Sequence, residues 1–332
     1  MELLIGDISV IICCYTEKRW SDLVAAVDSL RVQTLPFREI IVVVDHNPRM
    51  LERVKAEITG VVAIANREKQ GLSGARNSGI RIASGNYIAF LDDDAVAEPD
   101  WLYWLSQGCT QSRILGAGGK VDPLWLVEKP AWFPDEFYWV LGCSYKGLPR
   151  ETTRIRNPFG GCTAIKRNVF DTVGGFRSEI GRIGSKPLGG EETELGIRAR
   201  LAWPEYDFLY EPRARIQHRI PAARASWSYF CARCYSEGLS KALIVRLVGR
   251  KHGLSSERVY TRKTLPLGVL KGLSEAVIKG DLSGLGRAGA IITGLAITVA
   301  GYLVGSASLK VKPAVSEADG STTIAHDYIL NQ

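Results

Sequence analysis

Over its first hundred residues the chain alternates short apolar runs with amphipathic ones. Ile8–Cys14 (ISVIICC), Glu39–Val44 (EIIVVV) and Tyr87–Leu91 (YIAFL) are β-branched or aromatic runs of strand length, and Val61–Ala65 is a shorter one. Between them, Asp22–Val32, Leu51–Ile58 and Gly74–Ala83 read as helices; in the first, Leu23, Val27 and Leu30 share one face. Strands that are apolar throughout, each followed by a helix, predict an α/β fold with a mostly parallel sheet covered on both sides. In such sheets ligands sit at the carboxyl ends of the strands.

The pattern then loosens. Trp101–Cys109 reads as a helix, and residues 125–145 form an irregular aromatic stretch that includes Trp132, Phe133, Phe137 and Trp139. Asn168–Val173 is a short helix, Arg177–Gly190 a glycine-rich mobile loop, and Glu191–Leu201 a helix again. Phe208–Ile216 reads as a strand interrupted by Pro212, and Ser226–Val248 as a long amphipathic helix. Pro266–Leu282 is amphipathic, with Leu267, Leu270 and Leu273 on one face and Lys271, Glu275 and Lys279 on another. The 22 residues from Ala288 to Leu309 carry no charge. As a helix they would reach about 33 Å, against a bilayer core of roughly 30 Å. Gly301 and Gly305 make a GxxxG within them. The four glycines and four Ser/Thr residues leave three readings open: a membrane span, an interfacial helix, or a helix buried against the rest of the chain. The expected organisation is an α/β domain over 1–225, a helical region over 226–312 and a disordered tail over 313–332.

Composition sharpens this picture at one end. Hydrophobic residues at 46% and charged ones at 23% mark a folded globular chain of 332 residues. The net charge of +7 is local: residues 221–332 hold 14 Lys+Arg against 7 Asp+Glu, and residues 1–220 hold 28 of each. A surplus beside an apolar segment suits an anionic phospholipid surface, and nucleic acid is not expected without a recognisable reading motif. Seven cysteines, an odd number without regular spacing, suit a reducing compartment, and no secretory signal is expected at the start, because Met1–Asp7 is short and acidic and the next apolar run reads as a strand. The expected location is the cytoplasmic face of a membrane, peripheral or single-span.

Candidate chemistry collects at the strand ends. Asp92-Asp93-Asp94 directly follows YIAFL. Three adjacent carboxylates repel one another and suit Mg²⁺ or Mn²⁺ with substrate phosphates; the plain alternative is an acidic turn. Asp45 ends the second strand, where it can accept from a base N–H or a ribose hydroxyl, or can simply build the turn at Asn47-Pro48. Gly71–Gly79 (GLSGARNSG) joins a loop to a helix and allows close approach of phosphate; its Arg76 could meet phosphate or a strand-end aspartate. Glu191-Glu192 opens a helix, where acids also complement the helix dipole.

Taken in order, Ile8–Thr16, EIIVVVD (39–45), GLSGARNSG (71–79), YIAFLDDD (87–94), NPFGGCTAIKRNVFDTVGGF (157–176) and GGEETELGIRAR (189–200) resemble the motifs of the family 2 glycosyltransferases. The resemblance covers roughly residues 8–220 and implies a GT-A fold, a nucleotide-diphosphate sugar donor (a UDP-sugar in many members), inversion and a divalent metal. It implies that Thr16 and Glu17 line the nucleotide pocket and that Asp45 binds the base. Val44 stands where the family commonly has a further acid. The resemblance also implies that Asp92 reaches ribose or sugar, Asp94 holds the metal, His218 completes the metal site, and Gly160 and Gly161 floor the sugar. Asp93 falls where the family varies. The catalytic base is expected at Glu192 of the Glu191-Glu192 pair, with Glu in place of the usual Asp. With the basic apolar tail, the expected acceptor is membrane-linked or a polysaccharide. A nucleotidyltransferase and a non-catalytic nucleotide-sugar-binding membrane protein are the rival readings; the first lacks a glycine- and arginine-rich loop after the first strand, and the second needs no base at Glu192.

Overall fold

The computed structural model describes residues 5–181, 189–249 and 259–308. Among the described residues nine strands form one sheet: β1 (Ile8–Cys14), β2 (Glu39–Val44), β3 (Val62–Ala65), β4 (Tyr87–Asp92), β5 (Ala95–Ala97), β6 (Ile114–Trp125), β7 (Thr153–Ile155), β8 (Cys162–Lys166) and β9 (Asp207–Ile220). The order is β3-β2-β1-β4-β8-β6-β9-β5, with β7 also on β9. β3, β2, β1 and β4 run parallel, whereas β8 is antiparallel to both β4 and β6. The sheet is therefore parallel where strand and helix alternate, and mixed where that alternation stops.

Side-chain parity explains the two apolar layers. Val10, Ile12 and Val42 point to one face and Ile11, Ile41 and Val43 to the other, all buried. On the first face they meet α1 (Trp20–Arg31), α2 (Pro48–Glu57) and α4 (Trp101–Cys109) through Leu23, Met50 and Leu105. On the second they meet α3 (Leu72–Ile82), α5 (Arg167–Val173) and α6 (Glu191–Ala202) through Ala75, Phe170 and Leu195.

Five strands depart from expectation: β5, β6, β7 and β8 were not expected, and β9 is longer than expected. β6 was not expected, because its Gly116, Gly118 and Gly119 weaken the strand pattern. β9 runs on past Pro212 to Ile220. Its ladder with β6 slips there, from Gly118 opposite Tyr210 to Lys120 opposite Arg215, so the proline falls where no N–H is required.

The C-terminal helices are α7 (Trp227–Val248), α8 (Leu265–Lys279) and α9 (Ser283–Ser308). Ser226 caps α7 by accepting from Tyr229 N. Phe230 of α7 packs on Trp132, Phe133 and Phe137, and Ile291 of α9 belongs to the same core, so these helices rest on the aromatic stretch. The GxxxG serves packing inside the chain: a side chain at Gly301 would collide with the α7 backbone at Tyr235, and one at Gly305 with Ala242. α9 is long and apolar enough to cross a membrane, and a third of its apolar window is buried inside the protein. The 313–332 tail and part of the 177–190 loop lie outside the described residues.

Candidate active site

Parallel pairing brings the ends of β1, β2 and β4 level: Cys14 pairs with Val44, and Cys13 with Asp92. The chain residues that follow have no ladder partner and turn outward, so chemistry gathers on this rim. It opens on a cavity of about 1150 Å³. Asp45, Asp92, Asp93, Asp94, His218, Arg76, Gly160, Gly161, Glu191 and Glu192 all line it.

The three aspartates have distinct environments. Arg19 Nη1 donates to Asp93 Oδ1 at 2.9 Å and lies 3.2 Å from Asp94 Oδ2. Arg224, itself buried, donates from Nη2 to Asp94 Oδ2 at 2.9 Å and from Nη1 to His218 Nε2 at 2.6 Å. Burial opposes ionisation of Asp94, but His218, Arg224 and Arg19 together hold its carboxyl well below the usual range. Burial, then the neighbouring Asp94 charge, pushes Asp93 up despite Arg19. Asp92 is the more open of the three and faces Arg76 Nη2 at 3.6 Å.

Arg76 joins the two ends of the site. It is 3% exposed, and its Nη1 donates to Glu191 Oε1 at 3.0 Å. Its guanidinium also lies over the Phe176 ring, 5.2 Å from the centroid. The Gly160-Gly161 turn closes over this bridge. A Cβ on Gly160 would meet the Arg76 guanidinium, and one on Gly161 would enter the Asp92 carboxylate. At both positions the lack of a side chain lets the turn lie close against these groups.

Glu191 and Glu192 begin α6 after Gly190, whose φ of 96° favours glycine. Glu191 is tied to Arg76, whereas Glu192 Oε2 is sealed from solvent with no hydrogen-bond partner among the described residues. Burial, and then the adjacent Glu191 charge, pushes Glu192 up to about 8. An acid near this value can hold or release a proton close to neutrality.

Asp45 fastens the glycine loop. Its Oδ1 accepts from Asn66 Nδ2 at 2.7 Å and its Oδ2 from Gly71 N at 3.0 Å. Thr16 and Glu17 stand differently from the rest. Thr16 Oγ1 accepts from Lys18 N, Glu17 lies 3.5 Å from Arg49, and the cavity is lined instead by Tyr15 and Arg19. Arg19 and Arg224 were missed in the sequence. Arg19 comes five residues after the first strand ends and Arg224 six residues after His218, which is the only local signal either offers.

One ligand atom each from Asp92, Asp94 and His218 lies within 4.8 Å of the others. Two carboxylates and an imidazole are donors that suit a hard or borderline divalent cation, so the residues fit such an ion.

This sheet, with carboxylates at its parallel strand ends, is a GT-A fold. The chain aligns with the crystal structure of GalNAc-T7 with UDP, GalNAc and Mn²⁺ at a TM-score of 0.51 and 19% identity, covering 79% of this chain and about half (53%) of that one. The glycosyl transferase family 2 model matches residues 9–174. The chain is 33% identical over 241 residues to the glucosyl-dolichyl phosphate glucuronosyltransferase of Haloferax volcanii, covering 71% of this chain and 77% of that protein. It is 23% identical over 256 residues to the succinoglycan biosynthesis protein ExoM of Rhizobium meliloti, covering 74% and 77%. The chain belongs to glycosyl transferase family 2 and is a glycosyltransferase.

Proposed function

We propose that the protein transfers a hexose-type sugar from a UDP-sugar to a lipid-linked glycan acceptor, with inversion. One observation carries this reading: the Asp92/Asp94/His218 cluster and the Glu191-Glu192 pair face one cavity, with Arg76 between them. A divalent ion held by Asp92, Asp94 and His218, Mn²⁺ or Mg²⁺, would neutralise charge on the departing diphosphate. Arg19 and Arg224 add fixed positive charge beside it. Asp45 keeps the Gly71 loop under the base, and its Oδ2 retains capacity to accept from a uracil N–H. Gly160 and Gly161 let the sugar approach Asp92.

On the other side, Glu192 takes the proton of the acceptor hydroxyl. The acceptor oxygen bonds to the anomeric carbon as the carbon–phosphate oxygen bond breaks, and the diphosphate leaves with the electron pair. Attack opposite the leaving group inverts that carbon. Glu191 serves as a positioning residue through Arg76.

The lipid-linked acceptor draws support from the Haloferax relative and from the outer face of α8 and α9. Leu267, Leu270, Val277, Ile278 and Leu303 are exposed there, beside Lys271 and Lys279. Because α9 packs along α7 through Gly301 and Gly305, the reading favours an interfacial attachment at the cytoplasmic leaflet over a lipid-surrounded span. The test is transfer from a panel of radiolabelled UDP-sugars into a membrane lipid extract. Wild-type protein should transfer one of them, and Asp94→Asn and Glu192→Gln proteins with intact folds should lose transfer at least a hundredfold. Full activity in both variants would refute the assignment.

A further inference from the structure

β9 ends at Ile220, and the chain reaches α7 through a short 3₁₀ turn, Ala222–Ala225. Arg224 is the buried residue of that turn, at 5% exposure, while Ala222 and Ala223 are exposed. The turn therefore adds little to the apolar core and carries a guanidinium into the acid rim. A buried guanidinium needs acceptors around it. Arg224 has them in Asp94 Oδ2, 2.9 Å from its Nη2, and in His218 Nε2, 2.6 Å from its Nη1.

The contact with His218 decides how the imidazole is protonated. Every guanidinium nitrogen donates and none accepts, so Nε2 accepts and the ring proton sits on Nδ1. Nδ1 faces the turn at Gly142, 3.7 Å from where a Gly142 side chain would begin. Nε2 is the nitrogen that faces the acids, 3.3 Å from Asp94 Oδ1. A divalent ion among Asp92, Asp94 and His218 would bind through the lone pair of that nitrogen. One lone pair cannot serve a guanidinium and an ion together. Like charge adds to the exclusion, because both cations would crowd one carboxylate. Arg19 stands differently: it comes within 3.2 Å of Asp94 Oδ2, but it donates to Asp93 Oδ1 at 2.9 Å and so has an acid of its own.

We infer that Arg224 is a gate on the ion site: it competes with the divalent ion for His218 Nε2 and Asp94, and it releases the imidazole when the ion enters. The inference rests on the ion reading proposed above. Arg224 is a positioning residue that acts through the ligands. It keeps the imidazole turned toward the acids, and it lowers the affinity of the site for a bare ion, so that the ion stays exchangeable. Loss of Arg224 then has two effects of opposite sign. The fold loses a buried contact, and the ion loses a competitor. An arginine with a structural role alone would weaken both folding and ion binding.

Mn²⁺ titrated into the full chain, with the free ion read by electron paramagnetic resonance, tests this in wild type, Arg224→Gln and Arg224→Lys. Arg224→Gln should melt lower than wild type yet bind Mn²⁺ at least tenfold more tightly. Arg224→Lys keeps a charge beside Asp94 without the fork that spans both partners, and its affinity should lie between the two. It carries the test should the glutamine protein fail to fold. In Mn²⁺-loaded wild type, pulsed spectra should show hyperfine coupling to an imidazole nitrogen, which His218→Asn removes. Unchanged or weaker Mn²⁺ binding in the Arg224 variants overturns the gate. Loaded wild type without nitrogen coupling also overturns it, since Arg224 would then have kept the imidazole. Absence of Mn²⁺ binding from wild type and both Arg224 variants strikes the ion reading itself, and the gate with it.

Discussion

Glu192→Gln should stabilise the protein at pH 8 while removing its activity. The carboxyl is pushed up to about 8 by burial and by Glu191, against an ordinary value near 4.5. A tenfold change in proton affinity is worth about 1.4 kcal/mol, so holding the side chain ionised at pH 8 costs the fold on the order of 4 kcal/mol. The sign follows from proton counting. Between about pH 4.5 and 8 the folded chain binds more protons at this site than the unfolded chain, so stability falls as pH rises through that window. Glutamine keeps the shape and cannot ionise. The variant should match wild type near pH 4.5 and pull ahead steadily toward pH 8. Unfolding entropy near 2.1 cal/mol/K per residue gives roughly 0.7 kcal/mol/K for a chain of this length, so the gap should reach about 6 °C. Differential scanning calorimetry of both proteins from about pH 4.5 to 8.5 measures it. A gap independent of pH, or a variant that melts lower at pH 8, would refute the reasoning.

Three further outcomes follow from the same contacts. Arg224→Gln leaves buried Asp94 without one of its cations and should cost about 3 kcal/mol in chemical denaturation, part of which added Mn²⁺ restores; no restoration by the ion would argue against a cation site at Asp94. Gly161→Ala drives a methyl into the Asp92 carboxylate and should weaken UDP binding at least tenfold by calorimetry; unchanged affinity would mean the turn does not shape the donor site. Gly301→Leu separates α9 from α7 and should cost about 1–3 kcal/mol, read as a lower melting temperature; an unaffected melt would mean that the close helix approach contributes little.

Much of the catalytic half was legible because its physics is local. ISVIICC, EIIVVV and YIAFL have no polar face, and their strands lie in the middle of the sheet as that demands. Carboxylates placed right after such runs must emerge at the rim, so Asp45 and Asp92–Asp94 were found from sequence. β6 was hidden because its glycines are there for contacts across the sheet: a side chain at Gly116 would strike Ala164 O, and one at Gly118 would strike Pro158. Arg19 and Arg224 were hidden for another reason. Their partners are Asp93 and Asp94, 74 and 130 residues away, and an arginine carries no sign of which distant acid it will meet. The 301–305 glycines illustrate the limit of a motif: GxxxG indicated close helix packing correctly, but the partner is α7 of the same chain.

The measurement closest to the central claim is UDP binding with and without Mn²⁺, by calorimetry, in wild type and Asp92→Asn. If the strand-end acids and His218 form the donor site, UDP binds wild type tightly only when Mn²⁺ or Mg²⁺ is present. A concentration about 100 times Kd then stabilises the fold by about 2.7 kcal/mol, and Asp92→Asn loses the effect while still folding. UDP binding that ignores the metal, survives Asp92→Asn, or never occurs would contradict the account.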